Sequence, residues 1–455
     1  YNVPGATSEL PEKGGLSPEL GVNFSYFADE NGFAKKTCEM PGKGPTWVET
    51  LVTLKDKEGR ERLLAEFVKV EPPLKVYARG LAVFNDEKQQ FEKLRDLDVS
   101  APCVPKGHAV RHKDTDGDYV YFAHPYPFTR IPATSEAFND PSQYECYTCL
   151  MPGTKLEDQE IDRDDSGKIR YAWRKNTPAV GPAEQAKLIA AGKMKAAESP
   201  IHLLDRDSGK AVTAHGGSVY WNEFRKRWVM ISVEHYGKPS LLGEVWYAEA
   251  ESLVGPWKQA VKIVTHEKYS FYNPKQHPMF DRENGRVIFF EGTYTHTFSG
   301  NAEQTPRYDY NQILYRLDLA DERLALPVPV YRTGQSNGAA QSLQFRVSED
   351  SVPERSHMAF FALDRKTPAT VAVYWRTVNG HQQLTTESSA GESSEPVFFA
   401  LAVDQTDAPA TTEPLIEFVH RETGEYRYST TAIVENGFKK HREVCRVWSR
   451  GQGLK

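Results

Sequence analysis

The sequence predicts an all-β chain: a five-bladed β-propeller followed by a small β-rich module. Three observations carry this. Short runs rich in Val, Ile, Tyr, Phe and Trp are broken by Gly, Asp, Asn and Pro at intervals of about 8–12 residues, the pattern of successive short strands. Four segments repeat one strand–turn–strand phrase, and each places a His or a carboxylate at the same two points. A different phrase recurs beyond residue 340, where Phe360-Phe361-Ala362-Leu363 returns as Phe398-Phe399-Ala400-Leu401.

The four hairpins follow in order. Thr46-Trp47-Val48-Glu49 turns at Lys57-Glu58-Gly59 into Leu63-Leu64-Ala65-Glu66. Gly107-His108 turns at Asp116-Gly117 into Val120 through His124. His215 through Tyr220 turns at Arg225-Lys226 into Met230 through His235. Gln276-His277-Pro278-Met279-Phe280 turns at Glu283-Asn284-Gly285 into Val287-Ile288-Phe289-Phe290-Glu291. Third strands follow at Val76–Phe84, Gly243–Ala250 and Asn311–Leu317. Such repeats of about four strands fit propeller blades. The gap between the second and third hairpins leaves room for one more, with strands at Arg170–Trp173 and His202–Asp205 and a helix over Ala183–Ala191. This predicts an N-terminal arm over 1–21, the propeller over 22–340 and the C-terminal module over 341–455.

Composition narrows the class. A net charge of −6 and the lack of a basic run argue against nucleic acid as a partner. No apolar stretch is long enough for a membrane-spanning helix. The chain opens at Tyr1 without Met, as a processed form does. Cys146 and Cys149 form a lone Cys-x-x-Cys, which reads as buried thiols in a strand, because zinc calls for a second pair or two spaced His. Cys38, Cys103 and Cys445 are isolated and leave a disulfide open.

In a propeller, first-strand starts and second-strand ends share one rim. Glu49, His108, His215 and His277 are therefore expected to ring the axis, with Glu66, His124, Glu234 and Glu291 one strand further out. Glu234 and Glu291 each end an apolar run. Desolvation raises a carboxyl pKa and a neighbouring cation lowers it, so two carboxylates in different surroundings can divide acid and base roles. Their separation sets the stereochemistry: about 5 Å suits retention, about 6.5–9.5 Å inversion. Three alternatives stay open. Glu234, Glu291 and Glu49 serve hydrolysis; His108 or His124 with a Tyr serves elimination at a uronate; or the rim binds glycan without catalysis. Trp47, Tyr220, Tyr236, Tyr294, Arg111, His215 and His277 are candidate sugar contacts. No cofactor is required, but His108, His215 and His277 are candidate ligands for a divalent metal at the axis.

The phrase Gly243-Glu244-Val245-Trp246-Tyr247-Ala248-Glu249-Ala250-Glu251-Ser252-Leu253-Val254-Gly255-Pro256-Trp257 resembles a recurring phrase of five-bladed propeller glycosidases, the arabinanase, β-xylosidase and invertase-like enzymes. Asn273–Pro278 followed by Phe289–Tyr294 is similar to another blade of such proteins, and the resemblance spans about 100–330. It implies a glycoside hydrolase acting on a plant or algal polysaccharide or oligosaccharide, from a bacterium and secreted or periplasmic. Those enzymes carry Asp residues at blade starts, where this chain has Glu49, while Glu234 or Glu291 matches the general-acid position. The paired His108 and His124 resemble propeller polysaccharide lyases instead. Residues 357–449 resemble a short β-rich repeat appended to bacterial surface and secreted proteins, which implies a trefoil-like module.

Overall fold

The computed structural model describes residues 6–8, 24–235, 242–305, 311–333, 342–345, 356–387, 395–431 and 437–448, apart from a few positions within these runs. The chain divides into two compact units, one of 1–203 with 211–317 and the other of 204–210 with 318–455.

The first unit is a propeller-like ring of sheets. Among the described residues it holds four, not the five expected. Sheet one runs in chain order through Thr46–Lys55, Glu61–Glu71, Lys75–Asn85 and Gln90–Leu97. Sheet two does the same through His108–Asp114, Gly117–Ala123, Pro127–Pro132, Glu145–Thr148 and Ala172–Arg174. Sheet three starts at Ala214–Asn222 and passes through Arg227–Glu234, Val245–Ala250 and Trp257–Val264 to Ile201–Asp205 and Ala211–Val212. Sheet four is Ser270–Gln276, Val287–Thr295 and Asn311–Asp318. The missing blade is accounted for by edge pairing. Ala172–Arg174 adds to the outer edge of sheet two, and Ile201–Asp205 pairs beside Trp257–Val264. An edge strand finds free backbone donors and acceptors there, so the two segments do not have to pair with each other. The expected helix is present as Pro182–Ala190.

Packing between faces explains the residue pattern. Val52, Leu54, Leu64 and Leu81 of sheet one pack on Val120, Phe122 and Ile131 of sheet two. Val110, Tyr121 and Ala123 on the other side of sheet two pack on Val219, Trp228 and Met230 of sheet three. Sheet two is thus covered on both faces, and Arg227–Val233 is buried throughout, which suits its continuous apolar run. The inner strands run alongside one another. The Gly107 amide donates to the Glu49 carbonyl at 3.1 Å, and the Gln276 amide donates to Ser218 Oγ at 2.8 Å.

The fourth hairpin departs from the sequence reading. Its inner strand is Ser270–Gln276, so His277 follows that strand rather than starting it, and the chain then turns through a single 3₁₀ turn at Pro278–Phe280. Pro278 lacks an amide hydrogen and favours the first position of a helical turn, which ends the strand there. Glu291 lies in the middle of Val287–Thr295, opposite Lys275, and not at a strand end.

All five cysteines are free and buried. The disulfide left open by the sequence is therefore not formed.

The second unit contains one nine-stranded antiparallel sheet. The repeated phrases become Ser356–Ala362 and Phe398–Leu401, both of which pair with Phe438–Trp448. Its core is built on Phe360, Phe398, Val373, Leu384, Leu415 and Val447. At its centre the fully buried Glu417 accepts hydrogen bonds from Gln383, Tyr428 and Arg442 at 2.9–3.0 Å.

Candidate functional site

The site is built from one end of the inner strands. In sheet one a bulge between Val48 and Thr50 turns Glu49 out of the regular ladder. Its carboxylate lies 3.1 Å from Lys106 Nζ and 3.9 Å from an Arg79 nitrogen. Behind it Glu66 is wholly buried and pairs with Arg79 at 2.5 Å. Burial pushes the Glu66 carboxyl up to about 8, outweighing the opposing pull of Arg79, and the Glu49 charge adds to the rise. Its second oxygen has no hydrogen-bond partner. Glu66 is therefore protonated at neutral pH and stands one layer behind any surface a substrate could touch.

Sheets two and three contribute imidazoles. His124 and His215 meet edge to face with ring centroids 5.9 Å apart, and His215 stacks on His235 at 4.7 Å. Burial holds His108 down to about 3, assisted by Lys275, His124 and His277. Burial holds His124 down to about 4, assisted by Lys106 and His215. His215 is lowered by burial, His235 and Lys106. These influences put imidazoles of sheets two and three within electrostatic reach of Lys106, Lys275 and His277.

Sheet four supplies the most reactive pair. His277 Nε2 lies 3.2 Å from Glu291 Oε1, and the Glu291 side chain is 36% exposed. The His277 hydrogen bond is the main reason the Glu291 carboxyl lies below its ordinary range, with Gln312 and the Lys275 ammonium adding to it. Glu234 ends the buried strand of sheet three and accepts a hydrogen bond from the Trp246 indole at 2.9 Å.

Of the residues expected at the rim, Glu49, His108, His124, His215, His277 and Glu291 are linked through these contacts and charges. Others are not brought in. Arg111 is exposed and forks onto Asp118 within its own hairpin. Tyr294 packs edge-on against His266 and Tyr269. Tyr220 packs against the apolar core between sheets two and three. Trp47 is half-buried opposite Val68, and Tyr236 lies outside the described residues. Among the described residues no three His, Cys, Asp or Glu side chains form a group that could hold a metal ion, and a divalent metal at His108, His215 and His277 stays an expectation from the sequence. They descend from different strands and face different neighbours, Lys275 among them.

Lys106, Lys275 and His235 are functional candidates the sequence reading passed over. Lys106 stands just before Gly107-His108, and Lys275 lies two residues before His277, the spacing that puts strand side chains on one face. That alternation was the available signal.

No protein-family model and no curated protein sequence matches the chain. Several solved structures are similar to it. One is an exo-β-1,3-galactanase from Phanerochaete chrysosporium, at 9% identity over 94% of this chain and 86% of that one, with a TM-score of 0.32. Another is an endo-1,5-α-L-arabinanase from Thermotoga petrophila, at 8% identity over 73% and 75%, with a TM-score of 0.29. A third is an N-acetylgalactosamine deacetylase from F. plautii, at 9% identity over 65% and 77%, with a TM-score of 0.29. These likenesses carry no part of the chemistry proposed below.

Proposed function

We propose that the chain is a carbohydrate-active enzyme, a glycoside hydrolase that cleaves a plant or algal polysaccharide or oligosaccharide with two rim carboxylates. Glu291 is the ionised member, acting as base or nucleophile. Glu234, at the end of the apolar strand Arg227–Glu234, is the proton donor. The observation that carries this is the His277–Glu291 pair: a half-open carboxylate kept ionised by a hydrogen-bonded imidazole and a nearby ammonium. Two carboxylates in unlike surroundings are what divided acid and base roles require. Glu49, paired with Lys106, acts by tuning the field, and Glu66 holds Arg79 in place behind it. A polymeric glycan substrate goes with a secreted or periplasmic setting, and we read 22–340 as the propeller and 341–455 as a trefoil-like accessory module.

Elimination with His108 or His124 as base is disfavoured. Groups that hold a proton only below about 3 and about 4 are weak bases for a carbon acid, since an effective base has its pKa near the working pH. Non-catalytic glycan binding is the second reading. It is favoured by sheet one, where both carboxylates are already tied to Arg79.

A glycan panel tests these readings. New reducing ends without the ultraviolet absorbance of an unsaturated uronate, lost in Glu291→Gln, support hydrolysis. Both signals together support elimination. Retained binding with neither signal supports the second reading.

A further inference from the structure

We propose that the imidazoles of His124, His215 and His235, together with the Lys106 ammonium, form a subsite for the acidic group of a charged sugar, a carboxylate or a sulfate. The proposal deepens the glycan reading above and rests on it for the sugar.

The three rings form one row across sheets two and three, 5.9 Å and 4.7 Å between successive centroids. Gly216 lies beside that row: its φ of +27° is one that side-chain-bearing residues rarely adopt, and a Cβ there would press on Asn273 Oδ1 at 3.1 Å and touch His124 Cε1 at 3.6 Å. Lys106 acts on both His124 and His215, and its side chain is 44% exposed. One carboxylate, Glu49, meets Lys106 at 3.1 Å, and an ammonium has three donors, so two remain for a ligand. Beside burial, the groups that lower His124 and His215 are Lys106 and the neighbouring imidazoles. Neutral imidazole N–H groups and the Lys106 ammonium all donate to an anion, and charge-assisted hydrogen bonds are shorter and about twice as strong as neutral ones. A hydroxyl of a neutral sugar brings no such charge.

The test is calorimetric titration of the full chain with D-glucuronate, D-glucose 6-sulfate and D-glucose, with and without EDTA. At least one acid is expected to bind about tenfold or more tightly than glucose, about 1.4 kcal/mol; which acid wins identifies the group. His124→Gln and His215→Gln are each expected to remove most of that preference. Lys106→Gln supplies the same readout should either imidazole variant fail to fold. Equal affinities, no measurable acid binding, a preference unmoved by all three variants, or a preference abolished by EDTA would each overturn the proposal. An acid preference without cleavage of any glycan keeps the subsite and removes the hydrolase. Cleavage of a neutral glycan without an acid preference does the reverse.

Discussion

His277 Nε2 and Glu291 Oε1 stand 3.2 Å apart across the first two strands of sheet four, and Lys275 is the ladder partner of Glu291. The carboxylate is kept ionised by Lys275 on the strand beside it and by His277 just past that strand's end, and the residues before it in its own strand, Val287–Phe290, are apolar.

Removing the charge of Glu291 leaves the fold in place. Glu291→Gln is expected to lower kcat by about 10²- to 10⁴-fold, the usual span for a lost acid–base group. The melting temperature should change little, because the side chain is partly exposed. Steady-state kinetics on the cleaved glycan, with thermal melts, check this.

His277→Gln keeps a hydrogen-bond donor near Glu291 but removes the ring that can carry charge. The Glu291 carboxyl should then rise toward its ordinary range, moving the acidic limb of the pH–rate profile to higher pH. An unchanged acidic limb would assign that limb to another group.

His108 and His124 make the fold sensitive to acid. Their folded pKa values, about 3 and about 4, lie below the ordinary 6.5, so below pH 6.5 the unfolded chain binds more protons than the folded one. Stability is complete above that pH and is lost as pH falls towards 4 and 3. Denaturant unfolding of His124→Gln should show a shallower acid loss than the parent chain.

Glu66 acts with the opposite sign. Its folded pKa of about 8 lies above the ordinary 4.5, so the folded state binds the extra proton between these values. Its contribution is present below pH 4.5 and is lost as pH rises through 8. Glu66→Gln should flatten the alkaline side of the stability curve. Arg79→Met should cost less than the about 3–5 kcal/mol typical of a broken buried ion pair, because the partner left behind is already neutral at pH 7.

Trp257 fills the centre of sheet three with no exposed surface, and its indole donates to the Leu253 carbonyl at 3.3 Å. Trp257→Ala should cost about 3–5 kcal/mol in chemical denaturation.

Much of the architecture was legible in the residues. Alternation and turn residues marked the strands, and three of the four hairpins have the strands and turns expected of them. The fourth misled because His277-Pro278 resembles a strand start, whereas Ser270–Gln276 before it, interrupted by Asn273-Pro274, already forms the strand. The extra blade misled because periodicity shows that a segment is a strand and not which edge it joins.

What the sequence determined by itself was the supply of parts: apolar runs long enough to bury sheets on both faces, and imidazoles and carboxylates at recurring points along them. Only the tertiary structure decided which carboxylate is ionised and which is neutral. Glu49, Glu66 and Glu291 occupy similar places in their hairpins, yet one meets Lys106, one is sealed behind Arg79 and one faces His277. A proton's affinity depends on burial and on charges a few ångströms away, and those neighbours come from other strands that no local pattern names.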